Sequence, residues 1–373
     1  MAINCRFVIE NKMEGLGFFS YEMACGLAKA HPDVAFDFLF DRTPPDWFSS
    51  YPNVTVHVLW PPARHPLLWW WWFEIAVARF LQKSKPEVFL SPDGYVSLRS
   101  ATPTVAVQHD IAFEHFPEHV SPTALYYYRY FVPKFMHHAA RIATVSTFSK
   151  NDIAETYGIE QDKIDVVYNA PQEQFEPLTE EEIADTRATF SAGAPYFFYV
   201  GSINPRKNLP AMLRAFDQYK ATTVSATRFI IAGAMGWQNS DLEVVLRNMQ
   251  HRSDVIFTGR ADAATLRLLM GSALAFCYVS LFEGFGVPPL EAMAAGVPVL
   301  ASTASSLPEV CGDAALLVAP DDMVAIAAAM KRLAEEEGLR AVLIARGREQ
   351  CCKFSLANTA AALWQSCLRA VQQ

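Results

Sequence analysis

Short apolar runs alternate with helical patterns along the whole chain, and the alternation is played through twice. Runs at 6–10, 34–40, 54–59, 88–91, 104–108, 142–146 and 164–168 read as strands, with helical patterns at 18–30, 68–82, 121–140 and 148–157 between them. After residue 170 the pattern restarts, with strands at 196–200, 228–232, 255–258, 273–279, 297–301 and 315–318. Helical runs at 209–219, 241–250, 263–271, 288–295, 321–336 and 338–350 fill its gaps. Strands this uniformly apolar need helices on both faces of a parallel sheet. Each half is therefore expected to be an α/β, doubly wound domain, the first over residues 1–170 and the second over 171–353. Asn169, Ala170, Pro171 and the acidic stretch through Glu182 read as the linker. Open parallel sheets bind ligands outside the carboxyl ends of their strands. If the two sheets place those ends face to face, a deep interdomain cleft becomes the ligand site.

Length and charge leave room for such a plan and exclude others. The chain has 373 residues, 51% of them apolar, ample for two cores. Its net charge of −8 is split evenly, −4 in residues 1–170 and −4 in the remainder. No basic surface of the kind nucleic acid demands is present. Seven scattered cysteines without a CxxC pair suggest reduced thiols and a cytoplasmic setting. The N-terminus resembles a first strand, not a signal peptide. One stretch strains the soluble reading: Trp69, Trp70, Trp71 and Trp72 sit in an apolar run interrupted by Glu74 and Arg79. On a helix four consecutive side chains sweep about 300°, so they cannot all face one core. They form either an aromatic cluster between helices or a peripheral anchor at the inner face of a membrane. No basic belt accompanies them to strengthen membrane docking.

The densest chemistry lies at 283–291. Glu283 follows a strand-like run, Glu291 falls in the first turn of the next helical pattern, and Gly284 and Gly286 let backbone approach a ligand between them. Pro288 and Pro289 cost little at a helix start, where amides attract anions such as phosphate. Gly201, Arg206, Lys207 and Asn208 lie between another strand and helix. Two adjacent cations there suit a diphosphate; alone they would read equally as a solvated pair with Asn208 capping a helix. Thr258, Gly259 and Arg260 form a further strand-end turn, either a contact to a nucleotide base or simply a turn. His109 and Asp110 follow the strand at 104–108, where a ligand-facing imidazole and a helix-capping aspartate are both reasonable. Ser146 and Ser149 read as caps of the next helix. The histidines at 115, 119, 137 and 138 show no metal-ligand spacing, and no Asp-x-Asp pair occurs.

Three stretches in this order, Phe-Tyr-Val-Gly-Ser-Ile-Asn-Pro-Arg-Lys-Asn-Leu (198–209), Ile-Phe-Thr-Gly-Arg (256–260) and Ser-Leu-Phe-Glu-Gly-Phe-Gly-Val-Pro-Pro-Leu-Glu-Ala-Met-Ala-Ala-Gly-Val-Pro-Val (280–299), resemble the group 1 (family 4) retaining glycosyltransferases of GT-B architecture. The likeness extends to 305–315, to 108–111, to 142–150 and to a final helix near Phe354, covering most of the chain. It implies two facing Rossmann-like domains, with residues 354–373 packing back toward the first. It implies that Arg206 and Lys207 bind the donor diphosphate, and that Glu283 touches the transferred sugar. Phe285, Gly286 and Val287 would offer backbone amides, Glu291 would hold the ribose, and Gly201, Thr258 and Arg260 would line the donor site. In the first half Gly15 and Gly17 match a loop meeting donor phosphate and acceptor, and His109 matches an active-site histidine. Ala170 departs from the glycine usual after the hinge Asn169.

The expected reaction is metal-independent transfer of a hexose, with mannose the first candidate, from a UDP- or GDP-sugar to a glycan or lipid-linked acceptor, with no cofactor. Arg206 and Lys207 would stand in for a cation. Paired carboxylates serve glycoside hydrolases as acid and nucleophile, but a departing diphosphate needs neutralising charge instead. Two rival readings remain: a nucleotide-sugar sensor or inactive scaffold, and a dinucleotide oxidoreductase built on Gly15 and Gly17. The latter motif lacks its third glycine.

Overall fold

The computed structural model describes residues 1–9, 15–45, 51–63, 65–234 and 240–372, and it divides the chain into two compact units. Met1–Asn169 with Leu356–Gln373 make the first, Ala170–Ser355 the second. The strands of the first unit are β1 (Ala2–Asn4), β2 (Phe36–Phe40), β3 (Val54–Val58), β4 (Phe89–Ser91), β5 (Thr104–Val107), β6 (Arg141–Thr144) and β7 (Ile164–Val166). All pair in parallel in the order β3-β2-β1-β4-β5-β6-β7. The first strand is thus not at 6–10. Ala2 and Ile3, both fully buried, pair with β2 and β4, and Arg6 already lies beyond the strand in an ion pair with Asp93. Glu10 falls outside the described residues.

Helix Leu356–Val371 completes this unit. Its Leu363, Cys367 and Ala370 join the core. Ala360 faces Gly26 of helix Gly15–Ala30, where a methyl group added to the glycine would meet the Ala360 Cβ at 3.7 Å, an ordinary contact. Thr359 donates to the Tyr168 carbonyl at 2.7 Å and Ser366 to Asp165 at 2.6 Å. The tryptophan run lies on a helix that is α-helical over Pro66–Trp71, π-helical over Trp72–Val77 and α-helical again over Ala78–Ser84. Trp72 is fully buried and donates its indole N–H to the Leu59 carbonyl at 2.8 Å, so it has no part in a membrane anchor. Trp69 lies parallel to Tyr128 at 6.1 Å between the helix and Pro122–His138, whereas Trp71 is 48% exposed. Among the described residues no helix is long and apolar enough to cross a membrane.

The second unit carries β8 (Tyr196–Val200), β9 (Arg228–Ala232), β10 (Val255–Gly259), β11 (Ala275–Tyr278), β12 (Val299–Ser302) and β13 (Ala315–Val318), parallel in the order β10-β9-β8-β11-β12-β13. Each sheet reverses its order beside its first strand, between β1 and β4 and between β8 and β11. Those switch points are where ligands of open α/β sheets bind. The acidic stretch read as linker ends early, because Glu180–Ser191 is a helix. Thr179 caps it, accepting from the Glu182 amide at 3.2 Å while Glu182 accepts from the Thr179 amide at 2.9 Å. Such a capping box, with acids against the positive end of the helix dipole, explains why a polar run is helical here.

Candidate functional site

In the second unit the loops after β8 and β11 flank the switch point, and the cations and acid of the sequence reading meet there. Lys207 closes the turn Pro205–Lys207 and is buried. Its Nζ donates to Glu283 Oε1 at 2.7 Å, to Oε2 at 2.9 Å and to the Tyr278 hydroxyl at 2.7 Å. Arg206 Nη1 donates to the Phe282 carbonyl at 2.6 Å and approaches Glu283 Oε2 at 3.4 Å. Burial alone would raise the Glu283 carboxyl, but the charges of Lys207 and Arg206 outweigh it and hold the group below the usual carboxylate range. The three groups together carry one net positive charge in a poorly solvated place, where charge acts strongly.

The turn after Glu283 is held from behind. Ser306 Oγ reaches the Glu283 carbonyl at 3.0 Å and the Phe285 carbonyl at 2.8 Å, and Ser305 Oγ accepts from the Glu283 amide at 2.9 Å. Gly286, at φ 99°, then opens helix Val287–Ala294. Pro288 and Pro289 have no N–H, so Val287 supplies the amide among the first three residues of this helix. Glu291 lies on the second turn of this helix, not the first, and is buried. Burial pushes its carboxyl up to about 7, opposed by a hydrogen bond from the Gln172 backbone.

Asn208 occupies the position before helix Leu209–Thr222, but its side chain makes no cap. It donates instead to the Val279 carbonyl at 3.0 Å and the Pro320 carbonyl at 2.7 Å, tying the two loops together. Gly201 sits where the chain leaves β8, and Gly233 packs against it so closely that a Cβ there would come within 1.9 Å of the Gly201 carbonyl oxygen. Thr258 and Arg260 stand at the end of the edge strand β10, two strands away from β8; Thr258 Oγ1 faces the Ile231 carbonyl at 3.4 Å, and Arg260 is exposed.

In the first unit Gly15 and Gly17 lie in the first turn of helix Gly15–Ala30 rather than in a loop, and among the described residues nothing beyond its chain neighbours and its own helix lies within 4 Å of the place a Gly15 Cβ would take. His109 follows β5. Its Nε2 lies 2.9 Å from the Pro92 carbonyl, and Phe19 sets its ring edge-on at 4.7 Å. Burial lowers the pKa of this imidazole, against the Pro92 hydrogen bond and the charges of Asp110 and Asp93. Asp110 accepts from the Ala112 amide at 3.0 Å, the short-range capping role that its spacing allows. Ser146 caps helix Thr147–Tyr157 by accepting from the Ser149 amide at 3.0 Å.

Sequence reasoning does not single out Tyr278, Ser306 or Gly233. Tyr278 reads as one more apolar strand residue, and Ser306 falls in the 305–315 stretch of the resemblance with no role of its own. Only Gly233, directly after a strand, carries a local signal.

Known proteins resemble the chain over most of its length. The family model for Glycosyl transferases group 1 matches residues 181–350, and that for Glycosyltransferase Family 4 matches residues 13–171. The chain is 30% identical over 279 residues to O-antigen chain mannosyltransferase B of Escherichia coli, covering 74% of this chain and 73% of that one. It is 29% identical over 287 residues to O-antigen chain mannosyltransferase RfbU of Salmonella typhimurium, covering 76% and 75%. Among solved structures, Anabaena HepE in complex with UDP and glucose superposes with a TM-score of 0.74 at 16% identity over 98% of each chain.

Proposed function

Because the chain belongs to the glycosyl transferases group 1 family, we propose that it moves a hexose from a nucleoside-diphosphate sugar to an acceptor hydroxyl in surface polysaccharide assembly. The observation that carries this reading is the Lys207–Glu283–Arg206 cluster beside the start of helix Val287–Ala294, at the switch point of the second sheet. Its net positive charge and the helix N-terminus suit a diphosphate. The named activity of the two O-antigen relatives favours mannose, with GDP-mannose the first donor to test and UDP-hexoses behind it.

In this reading Arg206 and Lys207 take up charge as the diphosphate leaves, and Phe285, Gly286 and Val287 present backbone to the sugar and its phosphate. Glu283, held as an ion by two cations, serves as a binder and orienter. Transfer proceeds with retention and without a metal. The bond from the anomeric carbon to the phosphate oxygen breaks as the acceptor oxygen attacks the same face. The acceptor's proton passes to the departing phosphate oxygen. Glu291 holds the ribose hydroxyls, and Gly201, Thr258 and Arg260 border the nucleotide. Gly15, Gly17 and His109 serve the sugar and acceptor. The enzyme works in the cytoplasm.

A panel of UDP-, GDP- and ADP-sugars tests the assignment through thermal shift, slow donor hydrolysis and the anomeric configuration of the product. GDP-mannose is expected to stabilise and to be consumed; indifference to every nucleotide sugar would overturn the reading. Glu291 adds a pH signature. Ribose hydroxyls donate to its charged form, so binding lowers its pKa from about 7 and affinity rises with pH through that value. Isothermal titration across about pH 6 to 8 should show this rise, and Glu291→Gln should flatten it.

Peripheral membrane contact, in this reading, belongs to Trp71 with Leu67, 48% and 75% exposed. Trp71→Ser should reduce co-sedimentation with anionic vesicles while leaving turnover of a soluble acceptor unchanged. Equal sedimentation of both proteins would remove the anchor.

A further inference from the structure

A buried ion pair lies behind His109 and is not used by the chemistry above. Arg6 follows β1 and Asp93 follows β4, the two strands beside the switch point of the first sheet. Their side chains are 4% and 1% exposed and meet with Nε 2.5 Å from Oδ2. The guanidinium packs on the rings of Phe7, Phe73 and Tyr95, at 4.7, 5.1 and 4.2 Å. A buried pair of this kind adds little net stability over apolar side chains of similar volume, so its place at a site edge points to another task.

That task is visible in the turn between β4 and Tyr95. Asp93 Oδ1 accepts from Ser91 Oγ at 3.0 Å and from the Tyr95 amide at 3.2 Å, and Asn4 donates to Ser91 Oγ at 3.1 Å. Pro92, held between these bonds, turns its carbonyl onto His109 Nε2 at 2.9 Å. A carbonyl oxygen only accepts, so Nε2 carries the proton. In the neutral ring Nδ1 is then an acceptor.

We propose that Arg6 and Asp93 are positioning residues that fix His109 as the neutral Nε2–H tautomer, with Nδ1 offered as acceptor to a substrate hydroxyl. The inference rests on the reading of His109 as a substrate-facing group. The charged groups near the ring among the described residues are Asp93 from the β4 turn, with Arg6 behind it, and Asp110 from the ring's own turn. Helix Gly15–Ala30 presents the uncharged Phe19, and helix Thr147–Tyr157 the Ser149 hydroxyl, which lies 3.4 Å from the His109 carbonyl.

Full-length protein labelled with ¹⁵N-histidine tests this through the tautomer and titration of His109. Arg6→Met leaves the Asp93 charge without its partner and is expected to raise the imidazole pKa. Asp93→Asn leaves the guanidinium without its partner and is expected to lower it. Simple loss of structure would not produce shifts of opposite sign. Each single variant should lose about tenfold in kcat, a modest share of what a positioned acid–base group contributes, with the donor KM little changed. If a single variant does not fold, the double variant, which buries no charge, carries the test: its His109 should populate both tautomers. A pure Nε2–H tautomer there, or a titration unmoved in both single variants, would overturn the proposal. Shifts as expected with kcat unchanged would leave the positioning intact and instead refute substrate contact by His109.

Discussion

Lys207→Ala is expected to abolish transfer and to loosen the second unit at the same time. The Nζ is the main partner of a buried carboxylate, bonded to both oxygens of Glu283 at 2.7 and 2.9 Å. Removing it leaves Arg206, 3.4 Å away, as the remaining cation beside Glu283. Breaking a buried pair in this way costs about 3–5 kcal/mol. A single substitution therefore cannot separate a lost catalytic charge from a lost fold. The double variant Lys207→Met with Glu283→Gln does so, because it removes both charges and keeps the volume. Its melting temperature should return most of the way to that of the parent. Its turnover should stay down by roughly 10³-fold, the scale of losing a key electrostatic contact in a transition state. Recovery of activity together with stability would mean that the pair serves the fold alone.

The same cluster shows what a sequence can and cannot convey. Residues 206, 207, 283 and 291 are recognisable as a candidate site because each lies near where a strand gives way to a helix, and those junctions follow from buried strands with a clear apolar signature. Their partnership is not recognisable. Lys207 and Glu283 are separated by 76 positions, and it is the adjacency of β8 and β11 across the switch point that brings them together. By sequence the segment offers a carboxylate open to sugar hydroxyls; in the folded chain that carboxylate is already engaged by cations. The role of Ser306 is hidden for the same reason, since its two bonds reach back more than twenty residues to the 283–285 turn.

Local signals mislead where they are short or mixed. Three residues, Ala2–Asn4, are enough for a central strand buried on both faces, while the longer apolar run at 6–10 draws the first strand too late. The helix Glu180–Ser191 is polar and reads as linker, although Thr179 and Glu182 spell out its capping box. The tryptophans divide as four successive helical positions must, one enclosed, two half-buried and one exposed. Fold class survives these errors because it depends on the βα alternation, not on any single boundary.

Gly286→Ala is expected to cost about 10²-fold in kcat/KM for the donor, through the backbone rather than through lost contacts. At φ 99° the residue occupies a region that side chains rarely adopt, costing of order 1–3 kcal/mol. An alanine Cβ would also come within 2.6 Å of Leu307 Cδ2. The two penalties can be told apart. Leu307 is a buried leucine whose truncation opens room for the methyl group but leaves φ as it is. If backbone strain governs, the turn relaxes toward an ordinary φ, moving Phe285 and Val287 away from the proposed donor position. Gly286→Ala with Leu307→Ala should then remain as impaired as the single variant, with further loss of stability. If crowding governs, the double variant regains donor affinity. Regained affinity would mean that Gly286 is needed for space, and that the 283–287 turn tolerates the dihedral; continued loss in a folded protein would identify the left-handed backbone itself as what presents the phosphate cradle.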